Sequence, residues 1–218
     1  MLSGNNNYQK YSREIKCFIS KPRNKNEYCD FVKYLFKEIL KANKNDHVWK
    51  LLKYVEKDTD FYTAPASTKF HGNVECGLVR HSLLVLAYGI ELAPIMLLGD
   101  YSIYYLFISC IFHDLCKVNM YETRERNVKN EENGKWEKIP FYRVKEDYLS
   151  YGHGIESMLR LNKYVALPES WNHAIRWHMG AYDITQMDKL SLEKSFSAFR
   201  EVLFLQTADM LAGLVDNI

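Results

Sequence analysis

Residues 101–117, YSIYYLFISCIFHDLCK, form a run of helical length that is apolar on nearly every side. A helix without a polar face has to be surrounded by other elements, so this segment predicts a central, buried helix. The run closes on His113-Asp114, which delivers two polar side chains to the middle of a core. That conjunction narrows the fold to a multi-helix bundle and poses the question of what satisfies the polar pair.

The remaining helices are predicted from apolar spacing. They fall over 30 to about 43, over 46–57 with Asp46 as N-cap, over 77–92, over 154–165, over 169–178 behind Pro168, and over 197–215. Residues 1–26 are polar and predict a loosely packed arm. Alternation on both sides of Asn133-Gly134 predicts a β-hairpin over 126–146. The expected fold class is therefore all-α, a helical bundle with one protruding hairpin.

With 218 residues and 47% hydrophobic content, the chain can bury a sizeable core, which excludes disorder and a small disulfide scaffold. The charge is nearly balanced, 29 Lys plus Arg against 27 Asp plus Glu, so no strong field calls for a polyanionic partner. Residues 1–60 hold 13 basic and 8 acidic side chains, a modest basic excess that also fits a solvated face. The five cysteines, an odd and scattered set, contain no CxxC pair and read as reduced thiols suited to packing. The start, MLSGNNNYQKYSREIK, lacks an apolar signal core, and Glu91, Pro94, Gly99 and Asp100 interrupt the most apolar stretch. A cytoplasmic protein without a membrane span is expected.

His81 shares a helical stripe with Leu78, Leu84, Val85 and Tyr88, and Asp209 shares one with Val202, Leu205 and Ala212. Both therefore point towards the core. Burying an unpaired carboxylate costs several kcal/mol, more than the roughly 2–7 kcal/mol of a neutral polar group. A divalent cation would satisfy His81, His113, Asp114 and Asp209 together, with His153 and His178 able to join. Plainer readings stand beside this one. A lone histidine is usually a hydrogen-bonded core residue, Asp209 could face Arg80 or Arg176, and Lys117 could be an i,i+3 partner of Asp114. His47 is expected at the surface, His71 at most behind the ligands, and His173 points away from His178.

The ordered segments GLVRHS (77–82), FHDLCK (112–117), YGHGIES (151–157), IRWHMGAYD (175–183) and TADMLA (207–212) resemble the HD superfamily of metal-dependent phosphohydrolases. The likeness is greatest to small HD-domain hydrolases of phages and prophages, and extends to the HD module of YhaM-type 3′–5′ exoribonucleases. It covers roughly residues 68–215. It implies an HD-type domain over 61–218 behind an N-terminal helical extension, 1–60. It further implies two divalent ions (Mn, Fe, Ni, Co or Zn, with Mg the poorer match) held by His81, His113, Asp114, His153, His178 and Asp209. Asp114 would bridge the ions, and Lys117 would meet a phosphate oxygen.

The implied activity is hydrolysis of a phosphate ester of a nucleotide or related compound by a metal-bridging hydroxide. The alternatives are a 3′–5′ exonuclease or phosphodiesterase on single-stranded nucleic acid, and a nucleotide-binding module without catalysis. Lys117-Val118 stands where guanosine tetraphosphate hydrolases carry Glu-Asp, and no GYP triplet follows His178 as in the cyclic-di-GMP group. Arg176 and Glu156 are expected near the ligands, with Arg176 also expected to bind substrate. Trp136 and Tyr142 on the hairpin, interleaved with basic residues, are expected either to bind substrate or to form a structural flap.

Overall fold

In the computed structural model, which describes residues 8–40, 47–69, 72–98, 101–131 and 134–215, two helices without a solvent face sit at the centre. These are α4 (Gly77–Met96) and α5 (Ile103–Phe112). In α5 every residue from Leu106 to Phe112 is buried, as its uniform apolarity requires. Around them the described residues place α1 (Gln9–Ile19), α2 (Lys25–Leu40) and α3 (His47–Lys57) on the N-terminal side. On the C-terminal side lie α6 (His153–Asn162), α7 (Glu169–Trp177), α8 (Lys189–Ala198) and α9 (Arg200–Val215). A two-stranded antiparallel ribbon, β1 (Tyr121–Lys129) with β2 (Trp136–Val144), is inserted between α5 and α6. The protein is an all-α bundle with a protruding hairpin.

The expected loose arm is instead an ordered helix. Tyr11, Ile15 and Ile19 recur every four residues, so α1 presents an apolar stripe that is buried against α4. Its polar side is anchored as well. Ser12 Oγ donates to Glu91 Oε1 at 2.6 Å, and Lys16 Nζ lies 2.7 Å from the same oxygen. Gln9 performs a more specific task. Pro94 lies inside α4 and has no N–H for the carbonyl of Ile90, four residues earlier. Gln9 Nε2 donates to that carbonyl at 2.7 Å, so α4 continues through the proline to Met96, past its expected end at 92.

Other boundaries also shift. The α-form of α5 stops at Phe112, and the chain tightens into a 3-10 turn over Leu115–Lys117 instead of continuing to 117. The hairpin begins at Tyr121, five residues before the expected start, with Tyr121 opposite Val144 and Lys129 opposite Trp136. The helix expected over 197–215 starts as α9 at Arg200, because Phe199 is extended, and α8 ahead of it answers to no expected helix. Asn43, Asp46, His71 and Asn133 lie outside the described residues.

Side chains from Tyr11 to Ala212 join in one main core that α1–α3 share with α4–α7 and α9, while α8 packs in a smaller cluster around Trp177, Leu192 and Val202. By length and composition α4 could cross a membrane, but 67% of its most apolar stretch is buried inside the protein. Its apolarity is accounted for by the core. Ile15 is fully buried, so Ile15→Ala should lower unfolding free energy by about 2–5 kcal/mol. Urea titration checks this, and an unchanged midpoint would mean that α1 is not docked.

Candidate metal centre

Five helices bring their polar residues to one place. His81 comes from the middle of α4, His113 and Asp114 from the end of α5, and Lys117 from the 3-10 turn that follows. His153 opens α6, His178 closes α7, and Asp209 lies in α9. The turn decides how Asp114 is presented. Its backbone, φ −100° and ψ 24°, leaves the helix and directs the carboxylate away from the path of α5.

The acceptors converge closely. Asp114 Oδ1 lies 2.6 Å from His153 Nε2 and 3.4 Å from His178 Nε2. Its Oδ2 lies 2.7 Å from Lys117 Nζ and 3.4 Å from His113 Nε2. Asp209 Oδ1 lies 2.9 Å from His81 Nε2 and 3.6 Å from His113 Nε2. Ligand atoms fall within 4.8 Å of one another in three overlapping sets: His81, His113 and Asp114; His113, His178 and Asp209; Asp114, His153 and His178. The shared members make this one continuous cluster able to hold one or two divalent ions.

Two of the imidazoles are oriented by the backbone. His113 Nδ1 lies 2.9 Å from the carbonyl of Cys110, and His178 Nδ1 lies 2.7 Å from that of Ile175. A carbonyl only accepts, so both Nδ1 atoms carry the proton and both Nε2 atoms turn a lone pair towards the carboxylates. These two Nε2 atoms are buried and have no hydrogen-bond partner among the described residues. Lone pair facing carboxylate in a dry site is repulsive unless a cation or proton lies between. The donor set of imidazoles and carboxylates suits a borderline transition metal better than magnesium.

Without a metal, a proton is the fallback. Burial disfavours the His113 cation, but Asp114 and Asp209 outweigh it and push its pKa up to about 10. Asp114 and Asp209 are held well below the usual carboxylate range: burial opposes this, but Lys117, His113 and His153 overcome it at Asp114, and His113 and His81 at Asp209. Burial lowers the pKa of His81 and of His153 despite their carboxylate partners, so neutral imidazole is favoured there.

Two chain features make the cluster possible. At Gly154 an added Cβ would stand 2.2 Å from the carbonyl oxygen of Arg176, so only glycine lets α6 approach α7 and bring His153 to His178. Their ring centroids are 5.2 Å apart. The turn after α5 is gripped from α6: Arg160 Nη1 donates to the carbonyls of Leu115 and Val118 at 3.1 and 3.2 Å, while Nε donates to Glu156 at 2.6 Å. The N–H of Cys116 donates to Ser157 Oγ, and the Tyr148 hydroxyl to the Cys116 carbonyl.

The chain matches no protein-family model, no curated protein and no solved structure.

Several expected neighbours of the cluster stand elsewhere. Glu156 is the partner of Arg160 and lines a different pocket, behind the turn. Arg176 stacks on Trp177 at 4.0 Å and lies 3.7 Å from Asp188, outside the pocket that opens on the cluster. Trp136 is 70% exposed on the ribbon opposite Lys129, and Tyr142 lines a groove at the ribbon's root. Asp209 is met by histidines rather than by Arg80 or Arg176. His47 is exposed, and His173 lies 2.9 Å from Ser195 Oγ. Arg160 escaped sequence reasoning, although Glu156 and Arg160 at i,i+4 are a visible helical pair.

A raised folded pKa at His113 stabilises the metal-free protein below about pH 6.5, and that contribution fades as pH climbs towards the folded value of about 10. Urea midpoints of chelator-treated protein should therefore fall across that window. A profile equally steep in His113→Gln would assign the loss to other groups. Gly154→Ala should separate α6 from α7 and weaken Mn²⁺ binding by about tenfold or more, as read by equilibrium dialysis.

Proposed function

We propose that this chain is a divalent-metal-dependent phosphohydrolase of the HD type, acting on a phosphate ester of a nucleotide or related compound. The observation that carries the reading is the pair of buried Nε2 atoms, on His113 and His178, turned onto Asp114 and Asp209 with no hydrogen-bond partner among the described residues. The order of the five motifs along the chain supports the family assignment. In this reading residues 61–218 are the HD-type domain and 1–60 its helical extension.

His81, His113, Asp114 and Asp209 would hold one ion, and Asp114, His153 and His178 a second. Divalent ions bound there would lower the pKa of water and draw charge from a phosphoryl oxygen. The chain's own contribution is positional. Asp114 is nearly buried and turns one carboxylate oxygen to His153 and His178, the other to His113 and Lys117, so one residue ties both halves together. Lys117 Nζ, largely buried beside Asp114 and kept protonated despite that burial by the carboxylate, would meet a non-bridging phosphoryl oxygen. Asp209, 16% exposed, lines the pocket that opens on the cluster, and a substrate would enter from that side.

Elemental analysis should find one or two transition-metal ions per chain. Asp114→Asn should abolish phosphate-ester hydrolysis, by a factor of about 10³ or more, with an unchanged far-UV circular dichroism spectrum. Chelation should remove activity and lower Tm, and added Mn²⁺ should restore both. Wild-type rates in Asp114→Asn would refute the assignment.

A further inference from the structure

The pocket that opens on the metal cluster has a volume of about 290 Å³, at the small end of small-molecule sites. Its charge is sharply limited. Among the described residues lining it, Lys117 is the only lysine or arginine. The cationic side chains lie elsewhere: Lys69, Arg126 and Arg143 line a separate groove of about 720 Å³ against the ribbon. Beyond the cluster, the pocket wall is Met179, Tyr182, Met210 and Leu214.

Three of those wall residues are large side chains that stand exposed together at the mouth. Tyr182 is 87% exposed, Leu214 64% and Met210 54%. They come from the turn after His178 and from the end of α9, on either side of the mouth. One polar reader stands among them. Gly180, at φ +55°, makes the left-handed turn after His178, and a Cβ there would fall 2.0 Å from Gln206 Nε2. The missing side chain is what admits the Gln206 amide, which brings a donor and an acceptor to the pocket.

A phosphoryl group on the cluster is served by the ions and Lys117. Further phosphates would meet thioethers, a leucine and a phenol, with no cation to offset their desolvation. A flat ring would be covered by Tyr182 and the methionines, whose polarisable sulfurs favour aromatic faces. We infer that this pocket selects a nucleoside monophosphate, with one phosphoryl group on the cluster, the base against Tyr182 and Met210, and Gln206 reading a polar edge. This rests on the phosphohydrolase reading for the placement of the phosphoryl group.

The test uses Mn²⁺-loaded full-length protein, with AMP, ATP and glycerol 3-phosphate as probes, and equilibrium dialysis at equal free Mn²⁺. AMP should bind about tenfold more tightly than either of the others. Tyr182 is too exposed for its removal to unfold the chain. Tyr182→Ala should abolish the advantage of AMP over glycerol 3-phosphate while leaving glycerol 3-phosphate within about twofold of its wild-type affinity. Met210→Lys, which adds a cation at the mouth, should bring ATP level with AMP. Wild-type ATP binding as tight as AMP, AMP no tighter than glycerol 3-phosphate, or no AMP binding at all would each overturn the inference. Phosphate release measured in parallel separates the two readings. Absence of turnover with this binding order intact removes the hydrolase and keeps the selectivity; equal kcat/KM for all three probes does the reverse.

Discussion

Carboxylates facing imidazole lone pairs, in a place from which water is largely excluded, are the constraint on which this molecule is organised. His113, Asp114 and Lys117 follow one another at the end of α5, but the other contributors come from α4, α6, α7 and α9, so the full cluster is complete only once these five helices have packed. Without a cation there, a proton on His113 answers the carboxylates, which is why its pKa is raised while those of Asp114 and Asp209 are lowered. The apolar core supplies the stability that lets such a cluster persist.

Supports for this arrangement are passed from one end of the chain to the other. α4 carries His81 and would be weakened at Pro94, were the carbonyl of Ile90 not received by Gln9 from α1. α1 in turn is held by its own apolar stripe and by Glu91. On the far side, Gly154 sets the spacing of α6 and α7, and Arg160 fixes the turn between Phe112 and Val118. The cluster is therefore braced from the N-terminal helix as well as from the helices that bear it.

Much of this was legible in the amino-acid sequence because it is written in local periodicity. The uniform apolarity of 101–112, the stripes around His81 and Asp209, and the alternation beside Gly134 each announce an element and its buried side. What escaped is of three kinds. Short-range conformational choices, such as the change to 3-10 geometry after Phe112 and the extended residue at Phe199, depend on tertiary packing that propensity does not encode. Long-range polar bonds are the second kind: Gln9 to Ile90 and Arg160 to Leu115 link positions 81 and 45 residues apart, and no spacing rule reaches so far. α1 was missed for a third reason, since its mean polarity hides three apolar residues spaced by four.

Arg160 holds the turn after α5 by its main-chain oxygens. As far as that clamp is concerned, the residues at 115 and 118 can drift through evolution without loosening the loop, because every amino acid presents the same carbonyl. The arginine itself has no such freedom. A lysine offers a single compact charge and cannot span two carbonyls and the Glu156 carboxylate at once. In a lineage of such proteins, tolerance and intolerance to substitution would thus divide between the two ends of one set of bonds.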